Sequence, residues 1–255
     1  MNPPPNPVFS RLVVVLRLLG GLVTVGSLVA VMLPILIVLL PSRVARVRVT
    51  NRFGNWIGQS ALFWAGCDIE VSGLEHCRED RPAIYACNHT SILDAFTTIW
   101  LTPSGTVGVA KKEVLYYPFY GQAWWLAGHV FLDRGRTERA KKSLAKATNF
   151  IREAGLHLCI LPEGTRSDSG RLLPFKKGIA HVAIETRLPI VPMVTIGLHG
   201  AWKRSSLSLR KTRARIIFLP PISTDDWSVD TIDAHMETLR EPFLQTLPPE
   251  QQPAT

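Results

Sequence analysis

An apolar stretch runs from Leu12 to Leu40 near the amino terminus and is broken only by Arg17. Its uncharged part, Leu18–Leu40, would form a helix of about 35 Å, long enough to cross the roughly 30 Å hydrocarbon core of a membrane. The stretch lacks the polar face of a helix in a soluble protein, and no small-residue cleavage site of a signal peptide follows it. The sequence therefore predicts a membrane-docking segment, either one spanning helix or, because Pro34 can split a helix, a helix pair dipping into one leaflet.

The charge of the chain favours an anionic partner. It carries 29 Lys and Arg against 20 Asp and Glu, a net charge of +9, which suits a membrane surface or a phosphorylated substrate. No zinc finger or recognition helix is recognisable, so no nucleic-acid partner is expected. By the positive-inside rule, we expect the rest of the chain on the cytoplasmic face of the inner (cell) membrane. The alternative is that the arginines after the apolar stretch simply form a solvated helix face. The arginines that follow the apolar stretch are Arg43, Arg46, Arg48 and Arg52.

From about residue 67 onward, short runs rich in β-branched residues alternate with helical stretches, the best of which are residues 139–154 and 178–186. This alternation predicts an α/β fold, a mixed sheet flanked by helices, with the working residues on loops at one edge of the sheet. The strands are expected at residues 68–71, 83–87, 106–110, 130–132, 156–161, 190–196 and 214–219.

The length of 255 residues fits one catalytic domain. We place it at residues 56–247, after an N-terminal membrane segment with its basic flank at 1–55 and before a disordered tail at 248–255. The four cysteines are scattered without a CxxC pair, which indicates reduced thiols in a cytosolic domain. No zinc-site pattern, phosphate-binding loop or dinucleotide fingerprint is present, so neither a metal nor a cofactor is expected.

The first candidate for chemistry is NHTSILD at 88–94, directly after the strand at 83–87. A helix that starts near Ser91 would leave His89 in the preceding turn, from which its ring can fold back towards Asp94. A carboxylate that accepts a hydrogen bond from one ring nitrogen fixes the tautomer and leaves the other nitrogen free as a base. The alternative is a capping box, Ser91-x-x-Asp94, in which Asp94 caps the helix and His89 is incidental.

The second candidate is LPEGTRS at 161–167, again directly after a strand. Gly164 permits a tight turn, Thr165 offers a hydroxyl, and Arg166 offers a planar guanidinium suited to bidentate phosphate contact. The alternative is a surface turn with an ion pair between Glu163 and Arg166.

Three further groups of residues carry weaker indications. In GHVFLDR at 128–134, Arg134 follows a short strand and is expected at the same edge of the sheet. The run LPIVPMV at 188–194 is equally consistent with the entry of a core strand. Lys111 and Lys112 would add positive charge to a phosphate or donor site, or be solvated lysines. The histidines other than His89 are interpreted as packing, strand or surface residues: His76, His129, His157, His181, His199 and His235.

Together the four blocks NHTSILD, GHVFLDR, LPEGTRS and LPIVPMV, in this order, resemble the four motifs of the PlsC-like glycerolipid acyltransferases, the family that includes 1-acyl-sn-glycerol-3-phosphate acyltransferase. The resemblance covers roughly residues 60–220, and its first and third motifs are specific in combination. Leu161 is a small departure, because phenylalanine is commoner at this position of the family.

The resemblance implies roles for these residues. His89 would be the general base and Asp94 its orienting carboxylate, while the fourth block would bind the acyl donor or shape the site. The acceptor phosphate would be bound by Arg134, Glu163, Gly164, Thr165 and Arg166. The donor would be acyl-CoA or acyl carrier protein, and the acceptor would be the sn-2 hydroxyl of lysophosphatidic acid.

We expect direct transfer without an acyl-enzyme, with backbone N–H groups after His89 as oxyanion donors. Two alternatives stay open at this point. The acceptor could be another lysolipid, such as lyso-ornithine lipid or lysophosphatidylglycerol. In a different class, the chain could be a lipid-binding membrane protein without activity, against which the complete set of His89, Asp94 and residues 163–166 argues.

Overall fold

The structure is a computed structural model, and it describes residues 10–116, 120–132, 138–202 and 209–253. Two helices come first, and then strands and helices alternate to the carboxyl terminus. The helices are α1 (Arg11–Val38), α2 (Arg43–Ala65), α3 (Asp94–Leu101), α4 (Tyr120–Leu126), α5 (Glu138–Glu153), α6 (Gly178–Thr186) and α7 (Ile232–Thr246). The strands are β1 (Cys67–Ser72), β2 (Ile84–Cys87), β3 (Thr106–Lys111), β4 (Val130–Leu132), β5 (His157–Ile160), β6 (Ile190–Ile196) and β7 (Thr212–Phe218).

The strands form one sheet in the order β1-β7-β6-β2-β5-β3-β4. β2, β3, β4, β5 and β6 pair in parallel, whereas β7 runs antiparallel to β6 and carries β1 in parallel at the edge. The prediction of a mixed α/β sheet flanked by helices is therefore confirmed, and each expected strand is present within about two residues of its bounds. The carboxyl ends of the five parallel strands meet at one edge.

Both faces of the central strands are buried, which explains why their sequences are almost continuously apolar, with His157 and Thr195 as exceptions. On β2, Ile84 and Ala86 point into a core shared with α5, α6 and α7. Tyr85 and Cys87 point to the opposite face, into a core shared with the end of α2 and the start of α3. The sheet is thus the middle of three layers, and the loop after β2 emerges from its most buried part.

The apolar stretch forms one helix, α1, which continues through Pro34. It packs against α2, where Gly20 makes room for the Trp64 ring: a Cβ at Gly20 would come within 2.4 Å of it. Arg17 donates to the carbonyl oxygens of Phe63 (3.0 Å) and Trp64 (3.2 Å) at the end of α2. The helix pair of this structure is therefore α1 with α2, and it does not lie within residues 12–40.

Most of the α1 surface is exposed and apolar. In the part of the chain that the structure describes, α1 is the one helix that is long and apolar enough to cross a membrane, with a mean hydropathy of 2.5. Only 11% of its most apolar window is buried, unlike the core helix of a soluble protein. This exposed apolar surface fits a helix that docks in a membrane.

Two of the arginines after the apolar stretch are engaged inside the protein. Arg43 donates to the carbonyl oxygens of Gly128 (2.9 Å) and His129 (3.3 Å). The buried Arg46 donates to the carbonyl oxygen of Leu126 at 2.6 Å. These carbonyl groups lie at and just past the end of α4, where a helix leaves its last acceptors unpaired. The alternative of a solvated helix face therefore does not hold for Arg43 and Arg46, while Arg48 and Arg52 are exposed.

α2 connects α1 to the sheet. Its Asn51 side chain donates to the carbonyl oxygen of Thr106 at 3.0 Å and accepts from the N–H of Gly105 at 2.8 Å. At Gly58 a Cβ would meet the carbonyl oxygen of Phe96 at 2.4 Å, so α2 and α3 pack backbone to backbone. The boundary that we expected between residues 55 and 56 falls inside α2.

The end of the chain is ordered up to residue 253, in contrast to the disordered tail expected from residue 248. Gln251 is buried, its side-chain oxygen accepts from the N–H of Gly197 at 2.8 Å, and its carbonyl oxygen accepts from the N–H of Leu172 at 2.8 Å. The composition of the tail could not predict this, because Gln251 is held by main-chain N–H groups of residues far away in the sequence.

Candidate active site

The first motif begins with an asparagine that extends the sheet. The Asn88 side chain accepts from the N–H of Thr195 at 2.7 Å and donates to the carbonyl oxygen of the same residue at 2.9 Å. The buried Asn88 amide thus forms the hydrogen bonds that one more residue pair between β2 and β6 would form. His89, the next residue, stands directly at the carboxyl edge of the sheet.

Asp94 is fully buried at the first residue of α3. Its Oδ2 atom lies 3.1 Å from Nδ1 of His89 and accepts the backbone N–H groups of Thr90 (2.6 Å) and Ser91 (2.7 Å). Because a carboxylate can only accept, Nδ1 of His89 carries the proton and Nε2 carries the lone pair. Nε2 makes no hydrogen bond to the described residues, and the side chain is 23% exposed, so a base is available at the surface of the site.

Asp94 contacts both His89 and the backbone of the turn before α3. Asp94 receives N–H groups from the turn before α3, as a helix cap does, and the same oxygen contacts His89. The helix starts at Asp94 and not near Ser91. Ser91 is buried, and its hydroxyl oxygen accepts from the N–H of Leu93 at 3.3 Å.

Glu163 in the third motif binds backbone groups. Its Oε1 atom accepts from the N–H of His89 at 2.6 Å, and its Oε2 atom accepts from the N–H of Leu173 at 2.9 Å. Burial raises the pKa of Glu163 to about 7, although these two N–H donors favour the charged form. The alternative of a surface turn with a Glu163–Arg166 ion pair is therefore wrong, because Glu163 is buried and both of its oxygens are occupied.

The third motif forms hydrogen bonds to both backbone groups of His89 in the first motif. While Glu163 accepts from the N–H of His89, the N–H of Ser167 donates to the carbonyl oxygen of His89 at 2.8 Å. Gly164, between them, has a φ of +72°, a left-handed conformation that glycine adopts readily. The two motifs thus form one site at the carboxyl ends of the adjacent parallel strands β2 and β5.

The structure describes only some of the candidate residues for phosphate binding. Arg166 is half-buried, Thr165 is exposed, and neither pairs with another of the described residues. Arg134 lies outside the described residues. Lys111 ends β3, with its side chain outside the described part, and Lys112 follows it on the surface. The described part of the chain holds no group of three or more His, Cys, Asp or Glu that could bind a metal ion.

His129 of the second motif is a packing residue, as its sequence context suggests. Its Nδ1 atom accepts from the N–H of Gly108 at 3.2 Å, and its ring packs against Trp124 at a centroid distance of 4.5 Å. Burial lowers its pKa to about 4, so this histidine stays neutral at physiological pH.

Sequence reasoning missed His199. It lies in a short 3₁₀ turn, Leu198–Gly200, just after the carboxyl end of β6. Its Nδ1 atom is 3.1 Å from the carbonyl oxygen of Thr90, within the first motif. The only signal in the sequence is its position three residues after the end of a strand that leads to the same edge of the sheet.

A model of the Acyltransferase family matches residues 68–196, just over half of the chain and the part that carries this site. The chain therefore belongs to the Acyltransferase family, and it is an O-acyltransferase of the PlsC-like type.

Its relatives specify the class further. Over 219 residues, 86% of this chain and 77% of the relative, it is 45% identical to a 1-acyl-sn-glycerol-3-phosphate acyltransferase of Limnanthes alba. It is 31% identical over 185 residues to the alpha form from Mus musculus, covering 72% of this chain and 65% of that one. The fold is similar to the crystal structure of PlsC, the 1-acyl-sn-glycerophosphate acyltransferase of Thermotoga maritima, with a TM-score of 0.73, 21% identity, and coverage of 92% and 94% of the two chains.

Proposed function

We propose that this enzyme transfers a fatty-acyl chain from a thioester donor, acyl-CoA or acyl carrier protein, to the sn-2 hydroxyl of lysophosphatidic acid, giving phosphatidic acid. The names of its relatives support this acceptor. The observation that carries the chemistry is the contact of 3.1 Å between His89 Nδ1 and Asp94 Oδ2, which leaves Nε2 free.

In the proposed reaction, Nε2 of His89 removes the proton from the acceptor hydroxyl as its oxygen attacks the thioester carbonyl. The C–O bond forms and the C–S bond breaks, and the imidazolium returns its proton to the leaving thiolate. Asp94 stabilises the imidazolium through the bond to Nδ1. A Ser91 acyl-enzyme is disfavoured, because the serine hydroxyl is buried and bonded to the N–H of Leu93.

The developing oxyanion needs other donors than those expected from the sequence. The N–H groups of Thr90 and Ser91 already donate to Asp94, and that of Leu93 donates to Ser91. They cannot also bind an oxyanion without losing these bonds. Of the turn between His89 and Asp94, only the N–H of Ile92 is not engaged with the described residues.

The acceptor phosphate is the basis of the next prediction. We propose that Arg166 and Arg134 bind it, with Gly164 and Thr165 in the same loop and Glu163 holding that loop to His89. Replacing either arginine with lysine keeps the charge but removes the bidentate fork. We expect kcat/KM for lysophosphatidic acid to fall about tenfold to a hundredfold, the effect of a lost charge-assisted hydrogen bond. Steady-state kinetics with each substrate varied separately measures this.

The matched control is Arg152→Lys, an exposed arginine in the last turn of α5, at the opposite edge of the sheet. It should leave both substrates unaffected, and KM for the acyl donor should change little in all three variants. Unchanged acceptor kinetics in Arg166→Lys and Arg134→Lys would refute the phosphate assignment.

The overall function is tested by the release of free thiol from acyl-CoA, or from acyl carrier protein, by the full-length enzyme. Lysophosphatidic acid, lysophosphatidylglycerol and lyso-ornithine lipid are compared as acceptors. The proposal expects release that depends on lysophosphatidic acid. A faster reaction with another lysolipid would correct the acceptor, and no release with any pair would favour a lipid-binding protein without activity.

We further propose that the exposed surface of α1 docks in an anionic membrane, with the site on its cytoplasmic face. Leu22 (71% exposed) and Val31 (59% exposed) lie on this surface. In a hydrocarbon core, a charge costs about 2.5–3.5 kcal/mol per residue, so the Leu22→Asp, Val31→Asp double variant should move largely from the membrane to the soluble fraction. Vesicle flotation measures the distribution.

Val229→Asp is the control, since this residue is similarly exposed (57%) but precedes α7. It should float with the vesicles as the wild type does. Equal flotation of the double variant would mean that another apolar surface docks the protein. Residual binding should decrease with salt if the exposed Arg48 and Arg52 contribute to it.

A further inference from the structure

We propose that His199 is a positioning residue, which holds the peptide group between Thr90 and Ser91 and thereby keeps Asp94 and His89 in contact. This rests on the proposed function, in which His89 is the base. The observation is the distance of 3.1 Å between His199 Nδ1 and the carbonyl oxygen of Thr90. A carbonyl oxygen only accepts, so Nδ1 of His199 carries the hydrogen and donates it.

The peptide group between Thr90 and Ser91 is bound from both sides. Its N–H, that of Ser91, donates to Oδ2 of Asp94 at 2.7 Å, and its C=O, that of Thr90, accepts from His199. Thr90 is buried, so water does not replace a lost partner at low cost. This residue directly follows His89 and shares with it the same oxygen of Asp94. A shift of the peptide group between Thr90 and Ser91 therefore changes the contact between His89 and Asp94.

His199 itself is held by the fold. Gly197, which has a φ of +90°, starts the 3₁₀ turn, and its N–H donates to the side-chain oxygen of Gln251 at 2.8 Å. On its other side the His199 ring packs on Gly170, where a Cβ would come within 2.7 Å of the ring. A chain of contacts thus runs from the C-terminal Gln251 through His199 to the base.

Two substitutions separate the hydrogen bond from packing. An asparagine side chain places an N–H donor near the position of Nδ1, whereas a glutamine side chain places its amide near the position of Nε2. His199→Gln should lower kcat about tenfold, the effect of a modest loss of transition-state stabilisation, with KM for both substrates changed less than about twofold. His199→Asn should retain most of the wild-type kcat. Both variants should unfold at similar temperatures.

The His89 ring also gives a readout that does not need turnover. Diethyl pyrocarbonate acylates neutral imidazole, and mass spectrometry of the peptide that contains His89 gives its rate of modification. Because the carboxylate partner strengthens the base, labelling of His89 should be roughly twofold slower in His199→Gln and unchanged in His199→Asn.

The outcomes decide whether His199 acts through its hydrogen bond to Thr90 or by packing. Wild-type kcat and labelling in His199→Gln would overturn the proposal. Equal losses in both variants, together with a lower unfolding temperature, would mean that His199 acts by packing and would also overturn it. If the wild-type enzyme releases no thiol with any acceptor, the proposed function fails, and the labelling of His89 still decides whether His199 positions it.

Discussion

Replacing His89 with alanine is expected to lower kcat for acyl transfer by a factor of about 10²–10⁴, the range attributed to general acid–base catalysis. His89 is the histidine of the site whose ring contacts a carboxylate, which stabilises the imidazolium, whereas Nδ1 of His199 is directed to the neutral carbonyl oxygen of Thr90. The carboxylates of Asp94 and Glu163 are buried and occupied by N–H groups. The measurement is thiol release at saturating donor and acceptor.

His76→Ala is the matched control, since the His76 side chain is similarly exposed (28%, against 23% for His89) and lies outside the site. Both variants should unfold at the wild-type temperature, because the His89 backbone keeps its bonds to Glu163 and Ser167. A folded His89→Ala enzyme with near-normal turnover would refute the general-base mechanism.

The second large effect is expected for Asp94→Asn, which should lower kcat by a factor of about 100. The oxygen that contacts His89 also accepts the N–H groups of Thr90 and Ser91, so the amide oxygen of an asparagine stays at this position. The NH₂ group then replaces Oδ1, which is buried and without a partner among the described residues. The tautomer of His89 is kept, and what is lost is the negative charge beside the imidazolium.

The control for this variant is Asp233→Asn, which removes an exposed carboxylate paired with Lys177 at 2.6 Å. It should leave kcat unchanged, since surface ion pairs contribute at most about 1 kcal/mol to stability. If Asp94→Asn also kept the wild-type kcat, Asp94 would be a helix cap alone. A fall in unfolding temperature without a fall in kcat would lead to the same conclusion.

The sheet was predictable from the sequence because its central strands are buried on both faces. A strand such as Ile190–Ile196 is then apolar at every position except Thr195 and is bounded by turns. The edge at which the motifs meet was also predictable, since parallel strands end on the same side. His89 and residues 163–167 follow two strands that prove to be adjacent in the sheet.

The sequence could not reveal which groups the charged side chains meet. Arg43 and Arg46 have the same local context as the exposed Arg48, but they face carbonyl groups about 80 residues further along the chain. Glu163 sits in a motif associated with phosphate, yet its oxygens accept N–H groups of His89 and Leu173. Such partners depend on how the layers pack, and hydrophobic patterns carry no information about them.

The way in which His89 is held affects how the site can vary between related enzymes. The groups that fix its loop are mostly main-chain N–H and C=O groups, contributed by His89, Thr90, Ser91, Ser167 and Leu173. Every residue except proline supplies both groups, whatever its side chain. The side chains of Thr90, Ser167 and Leu173 can therefore change without disturbing the geometry, as long as no proline enters and the side chains that hold the loop are kept, namely Asn88, Asp94, Glu163 and His199.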